Sequence, residues 1–129
     1  MKNDPSPSTS RKDRPNVLTF KGEIDLHVSP VITASLQSTV KKKPKTLVVD
    51  LSQVNYIDSS GLAVLIEAMQ NVEEYGGKFA LAGLQETVRT IFEIARLDQV
   101  FQIFPDVDTA LAWYAFRNGL GNSRSVVAA

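Results

Sequence analysis

The stretch that decides the fold is TLVVDL at residues 46–51, followed closely by VNYIDSSGLAVLIEAM at residues 54–69. TLVVDL is an almost unbroken β-branched and apolar run, the pattern of a strand buried on both faces. Within a few residues the chain changes to helical periodicity. Leu62, Leu65, Ile66, Met69 and Val72 fall at i, i+3, i+4, i+7 and i+10, forming one apolar stripe. Gly76 and Gly77 end that helix, as glycines commonly do. A strand buried on both faces that feeds an amphipathic helix is the first half of a βαβ unit, and it points to a parallel sheet.

The same alternation continues in both directions. Upstream, NVLTFKG (16–22) reads as a short strand ended by Gly22, and EIDLHV (23–28) as an irregular connection. Ser29 and Pro30 combine a hydroxyl N-cap with proline at the first helical position. Ile32, Leu36 and Val40 then form a stripe at fours, and Pro44 forbids continuation. The lysines of KKKPK (41–45) sit where cations favour the helix dipole and read as a solvated helix end, not a nucleic-acid patch. Downstream, KFALAG (78–83) is a strand, and QETVRTIFEIARL (85–97) a helix with Val88, Ile91, Phe92 and Ala95 inward. VFQIF (100–104) is a last strand, and DVDTALAWYAF (106–116) a final helix with acids in its first turn. Four strands alternating with four helices predict an α/β fold with a mostly parallel sheet.

The totals agree with one domain. A chain of 129 residues, 43% of them hydrophobic, can bury one real core. Residues 1–15 carry Ser, Pro, Thr and charge, with no large apolar side chain after Met1. Such a segment cannot repay its ordering entropy by burial, so a disordered tail is expected there, a domain over 16–117, and a frayed tail over 118–129. Fourteen basic and fourteen acidic side chains balance, which argues against direct nucleic-acid binding. The absence of cysteine excludes disulfides, zinc–cysteine sites and iron–sulfur clusters. The N-terminus lacks the apolar core of a secretory signal, and no run approaches the roughly 18 apolar residues of a membrane span. A cytoplasmic protein with no membrane insertion is expected.

Ligands of open α/β sheets gather beyond the carboxyl ends of the strands. Asp58, Ser59 and Ser60 are expected there, with Asp50 ending the same strand and Asp25 following the first one. Four readings compete. As a helix start, Ser60 is the N-cap and Gly61 lets the turn close. As a hydrolase, the segment lacks the glycine before the serine of G-x-S-x-G, and the only histidine, His27, reads as a loop residue. As a nucleotide site, it lacks both glycine-rich phosphate motifs, though a free helix N-terminus can hold an anion weakly. As a phosphate acceptor, Ser59 offers an exposed hydroxyl just outside the helix. A phosphate there adds about 1.5 to 2 negative charges beside orphan N–H groups and next to Asp58. A partner packed against neutral Ser59 then meets a desolvated like charge, which costs several kcal/mol and roughly two powers of ten in affinity.

FKGEIDLHVSP, LVVDLSQVNYIDSSGLAVLIEAM and GGKFALAGLQETVRTIFEIARLDQVFQIF together resemble the STAS domain, and most of all the single-domain anti-sigma factor antagonists of bacteria. The likeness runs from about residue 17 to 116 and rests on G-E-[IL]-D at 22–25, D-S-[ST]-G-L at 58–62 and the Gly-Gly after the helix, in that order. It implies a small mixed, mostly parallel sheet of about four to five strands packed with about four helices. The family usually begins with an extra strand, where this chain has the polar, proline-rich SPSTSRKDRP. The resemblance implies no enzyme, no cofactor and no metal. It implies an anti-sigma factor that is also a serine kinase as partner, a sigma factor released by that binding, phosphorylation of Ser59 as the off-switch, and a serine phosphatase that reverses it. Ser60 is then the cap, Asp58 shapes the acceptor loop, Asp25 neighbours it, and Gly61 and Leu62 complete the partner surface. The alternative is a non-switched STAS accessory subunit of a lipid or ABC-type transport complex, or of a stress-sensing assembly. In that case the apolar helix face or the C-terminal helix ALAWYAF would carry the interface, with Trp113 and Tyr114 as the residues to watch, though their plainer role is core packing.

Overall fold

The computed structural model describes residues 16–119, so the tail expected at 1–15 and nearly all of the one at 118–129 lie outside the described residues. The elements are β1 (Asn16–Ile24), α1 (Ser29–Lys41), β2 (Thr46–Ile57), α2 (Ser59–Glu74), β3 (Lys78–Ala82), α3 (Glu86–Ile94), β4 (Gln102–Phe104) and α4 (Val107–Gly119), with a 3-10 turn at Leu97–Gln99. The four strands form one sheet in the order β1-β2-β3-β4, and every pairing is parallel. Each strand is therefore followed by its neighbour, always in the same direction. Right-handed crossovers then place the intervening helices on one face. Ile32 and Leu36 of α1, Leu65 and Val72 of α2, and Val88 and Phe92 of α3 pack there against Leu47, Val49, Leu51, Phe79 and Leu81. The last helix makes no crossover and covers the other face. Val48, Ala80, Ala82 and Phe104 meet Ala110 and Tyr114 of α4. Both sides of β2 and β3 are thus buried, which is why their sequences are apolar without alternation.

The first strand does not end at Gly22. Gly22 takes φ +82° at a register shift, and pairing continues to Ile24 opposite Ile57. Glycine is there to make an irregular step in the ladder, a bulge rather than a stop. The second strand likewise runs past Leu51 to Ile57. Asp50 is therefore inside β2, opposite Ala82, and its carboxylate accepts the Ser52 N–H at 2.9 Å. Beyond that pair β2 has only β1 as partner, and the two form a ribbon that reaches past the sheet. Along the ribbon every third residue of β2 is buried: Leu51, Val54 and Ile57. The bulges reset the pleat, so the period of two that marks a strand is absent from SQVNYI.

Other boundaries also move. Ser29 is the first residue of α1 and not its cap. Val28 holds the N-cap position without a side-chain bond, and the Ser29 hydroxyl donates to the Leu26 carbonyl at 3.4 Å. The stripe of α1 is as expected, with Ile32 and Leu36 buried. Ala95 is exposed at the end of α3, since the helix stops at Ile94. Val100 is 51% exposed and precedes the last strand, which keeps only Gln102–Phe104. Tyr114 belongs to the core on the α4 face, while Trp113 beside it remains 40% exposed.

Candidate functional site

The ribbon of β1 and β2 delivers two turns to one place. One is the turn after Ile24, which opens α1. The other is Asp58, which joins β2 to α2. The Asp58 N–H donates to the Ile24 carbonyl at 3.0 Å, so the two strand ends are tied by backbone. Gly61 then seats α2 against them. A Cβ at Gly61 would stand 2.7 Å from Ile24 Cγ2, 2.7 Å from Ile57 Cγ1 and 3.0 Å from the Ile24 carbonyl oxygen. Only a residue without a side chain allows so close an approach.

Asp58 is the N-cap of α2, in place of Ser60. Its Oδ1 accepts the N–H of Ser60 at 2.9 Å and of Gly61 at 3.1 Å. The same oxygen accepts the Ser60 hydroxyl at 2.6 Å. Its Oδ2 accepts the N–H of Leu26, 32 positions away, at 3.2 Å. The Ser60 hydroxyl, with help from the backbone N–H groups of Gly61, Ser60 and Leu26, holds the Asp58 carboxyl below the usual carboxylate range against partial desolvation. This aspartate thus caps the helix with one oxygen and clamps the neighbouring loop with the other.

Asp25 organises that neighbouring loop. Its Oδ1 accepts the N–H of His27 at 3.0 Å and of Val28 at 3.2 Å, an Asx turn, and its carbonyl accepts those of Val28 and Ser29. The Asp25 carboxylate serves its own turn. The loop, not the carboxylate, is what reaches Asp58. His27 is an exposed member of the same turn.

Ser59 is exposed and is the first residue of α2. The helix N-terminus beside it is already occupied by an anion, the Asp58 carboxylate. Of the first three orphan N–H groups, those of Ser60 and Gly61 are taken, and only that of Ser59 is left for a newcomer. A nucleotide phosphate finds little there. A phosphate on Ser59 would likewise be poorly compensated and would stand beside Asp58 as added negative charge. Leu62 is half-buried, its N–H bonded to the Asp58 carbonyl at 3.0 Å. Among the apolar side chains that stay open to solvent at this end are Leu26, 73% exposed, and Tyr56, 43% exposed. The sequence reading singles out neither, although Leu26 stands between the polar Asp25 and His27. Among the described residues, no group of three or more His, Asp or Glu could hold a metal ion.

Comparison with known proteins identifies the family and the fold. A family model described as the STAS domain matches residues 6–110. The chain belongs to the STAS domain family. An anti-sigma-B factor antagonist of Listeria monocytogenes is 32% identical over 82 residues, 64% of this chain and 72% of that one. The anti-sigma-B factor antagonist of Bacillus subtilis is 32% identical over 86 residues, 67% of this chain and 78% of its own. The crystal structure of an anti-sigma factor antagonist from Mycobacterium paratuberculosis superposes with a TM-score of 0.72 at 28% identity, covering 79% of this chain and 86% of that one. The sheet with its helices on both faces is thus a STAS-type α/β fold, and the chain resembles the antagonists of that family, which are not catalysts. Among the described residues no helix is long and apolar enough to cross a membrane.

Proposed function

We propose that this STAS domain is a phosphorylation-switched anti-sigma factor antagonist of the cytoplasm, working through residues 16–117. Its partner is an anti-sigma factor that is also a serine kinase. Binding frees a sigma factor. The kinase then modifies Ser59, the complex separates, and a serine phosphatase restores the binding form. Asp58, Ser60, Gly61, Leu62 and the Asp25 loop form the rest of the contact surface.

One observation carries this reading: an exposed serine, Ser59, is the first residue of a helix whose N-terminus is already filled by the carboxylate of the residue just before it, Asp58. A kinase can reach Ser59 without unfolding anything. The added phosphate has one free N–H and a negative neighbour, so its charge is turned outward to the partner. The likeness to anti-sigma factor antagonists supplies the partner class. Affinity capture from a lysate of the native cell, with wild-type and Ser59→Asp baits side by side, tests it. A serine-kinase anti-sigma factor recovered by wild type and lost by Ser59→Asp is the expected result. Recovery of one and the same set of transport subunits by both baits would contradict it and favour a constitutive subunit.

A further inference from the structure

The end of the sheet opposite Ser59 carries a second feature. Where β2 and β3 begin, two adjoining clefts of about 390 and 490 Å³ share Gly76, Gly77 and Lys78. The larger is lined by Lys43, Lys45, Lys78 and Tyr75 and by no acid. The smaller adds Arg117 and Trp113, with Glu73 as its one acidic side chain. The chain as a whole is neutral, so four cations against one acid in a concave site is a local concentration of charge.

The site is held in shape by backbone. The Lys78 N–H donates to the Lys45 carbonyl at 2.8 Å, which sets these two lysines at the starts of neighbouring strands. Lys43 takes φ +51°, a left-handed conformation that favours glycine or asparagine, yet a lysine stands there. Its ammonium lies 6.0 Å from the centroid of the Tyr75 ring, and the Tyr75 hydroxyl donates to the Pro44 carbonyl at 2.7 Å. The floor is Gly77, where a Cβ would stand 2.8 Å from Tyr75, 2.9 Å from Val72 and 3.1 Å from the Pro44 carbonyl oxygen. Arg117 lies over the Trp113 ring, 4.7 Å from its centroid.

We infer that this cleft binds a small soluble anion carrying several phosphate charges. Lysines are point donors suited to phosphate, and three of them line one open depression of about 490 Å³. The site is independent of Ser59, which follows the other end of β2.

The chain holds a single tryptophan, so Trp113 reports on the cleft by fluorescence. Sodium tripolyphosphate is titrated into the full chain, against sodium chloride at matched ionic strength. The expected result is a saturable change in Trp113 emission, weakened at least about tenfold in Lys43→Gln/Lys45→Gln/Lys78→Gln, since each lost cation removes attraction. Lys78→Gln alone, an exposed single change, repeats the test should the triple variant fold poorly. Ser59→Asp should bind with unchanged affinity. The inference is overturned by a response no greater than that to chloride, by equal affinity in the lysine variants, or by loss of binding in Ser59→Asp. Cosedimentation with phosphatidylglycerol vesicles in the absence of any tripolyphosphate response would assign the lysines to a lipid surface and overturn it equally.

Discussion

Replacing Gly61 by alanine probes the contact on which the whole site is assembled. The new Cβ would stand 2.7 Å from two isoleucine methyl or methylene carbons, Ile24 Cγ2 and Ile57 Cγ1, and 3.0 Å from a backbone oxygen. Both isoleucines are about 1% exposed, so neither has room to turn away. Overpacking of this kind costs about 1 to 3 kcal/mol. Alanine also restores up to about 1 kcal/mol of helix propensity relative to glycine, less in a first turn. The net expectation is a loss of roughly 1 to 2 kcal/mol, or about 4 to 15 °C in Tm for a domain of this size. The only relief open to the protein is to move the start of α2 outward. That lengthens the Asp58 N–H bond to Ile24 and the Leu26 N–H bond to Asp58, so partner affinity should fall with stability. Urea unfolding followed by circular dichroism measures the first effect, and titration with the partner the second. A Gly61→Ala protein as stable as wild type would refute the close-approach reasoning.

Three further outcomes follow. Asp58 titrates low in the folded state, so the stability it lends is fully present above the unfolded carboxylate value of about 4 and is lost as pH falls through the lower folded value. Acid unfolding of Asp58→Asn should therefore lack the part of the pH dependence below about 4 that wild type has, while at neutral pH the variant is less stable. Ser60→Ala should destabilise less than Asp58→Ala, because the two backbone N–H bonds to Asp58 survive it; the reverse order in thermal melts would restore Ser60 as the cap. Leu65→Ala, at a position 0% exposed in the core under α2, should cost about 2 to 5 kcal/mol in urea unfolding without selective loss of the switch.

The alternation of elements was legible because its signals are local. The unbroken TLVVDL run, the stripe from Leu62 to Val72 and the Gly76–Gly77 stop each follow from burial or backbone freedom at the residue itself. The site residues were legible as a cluster for the same reason: D-S-S-G lies at one strand-to-helix junction. What escaped depends on partners distant in sequence. SQVNYI does not read as strand because its burial falls every third residue, a consequence of the register shifts opposite Thr19–Lys21 and Gly22–Glu23. A hydroxyl at Ser60 favours the cap position, but the helix starts two residues earlier: Asp58 accepts the N–H groups of Ser60 and Gly61, with a carboxylate that also receives Leu26. The pairing of Asp58 with a residue 32 positions away leaves no trace in spacing. Nor does the meeting of Lys43, Lys45 and Lys78 around one cleft, which depends on the pairing of β2 with β3.

On the proposed switch, charge on Ser59, and not a change of fold, separates the protein from its partner. The direct measurement is calorimetric titration of the captured anti-sigma factor with unmodified protein and with protein phosphorylated on Ser59, together with a thermal melt of each. Closely similar melts are expected, with an affinity lower by about two powers of ten or more for the phosphorylated form. Equal affinities would contradict the switch.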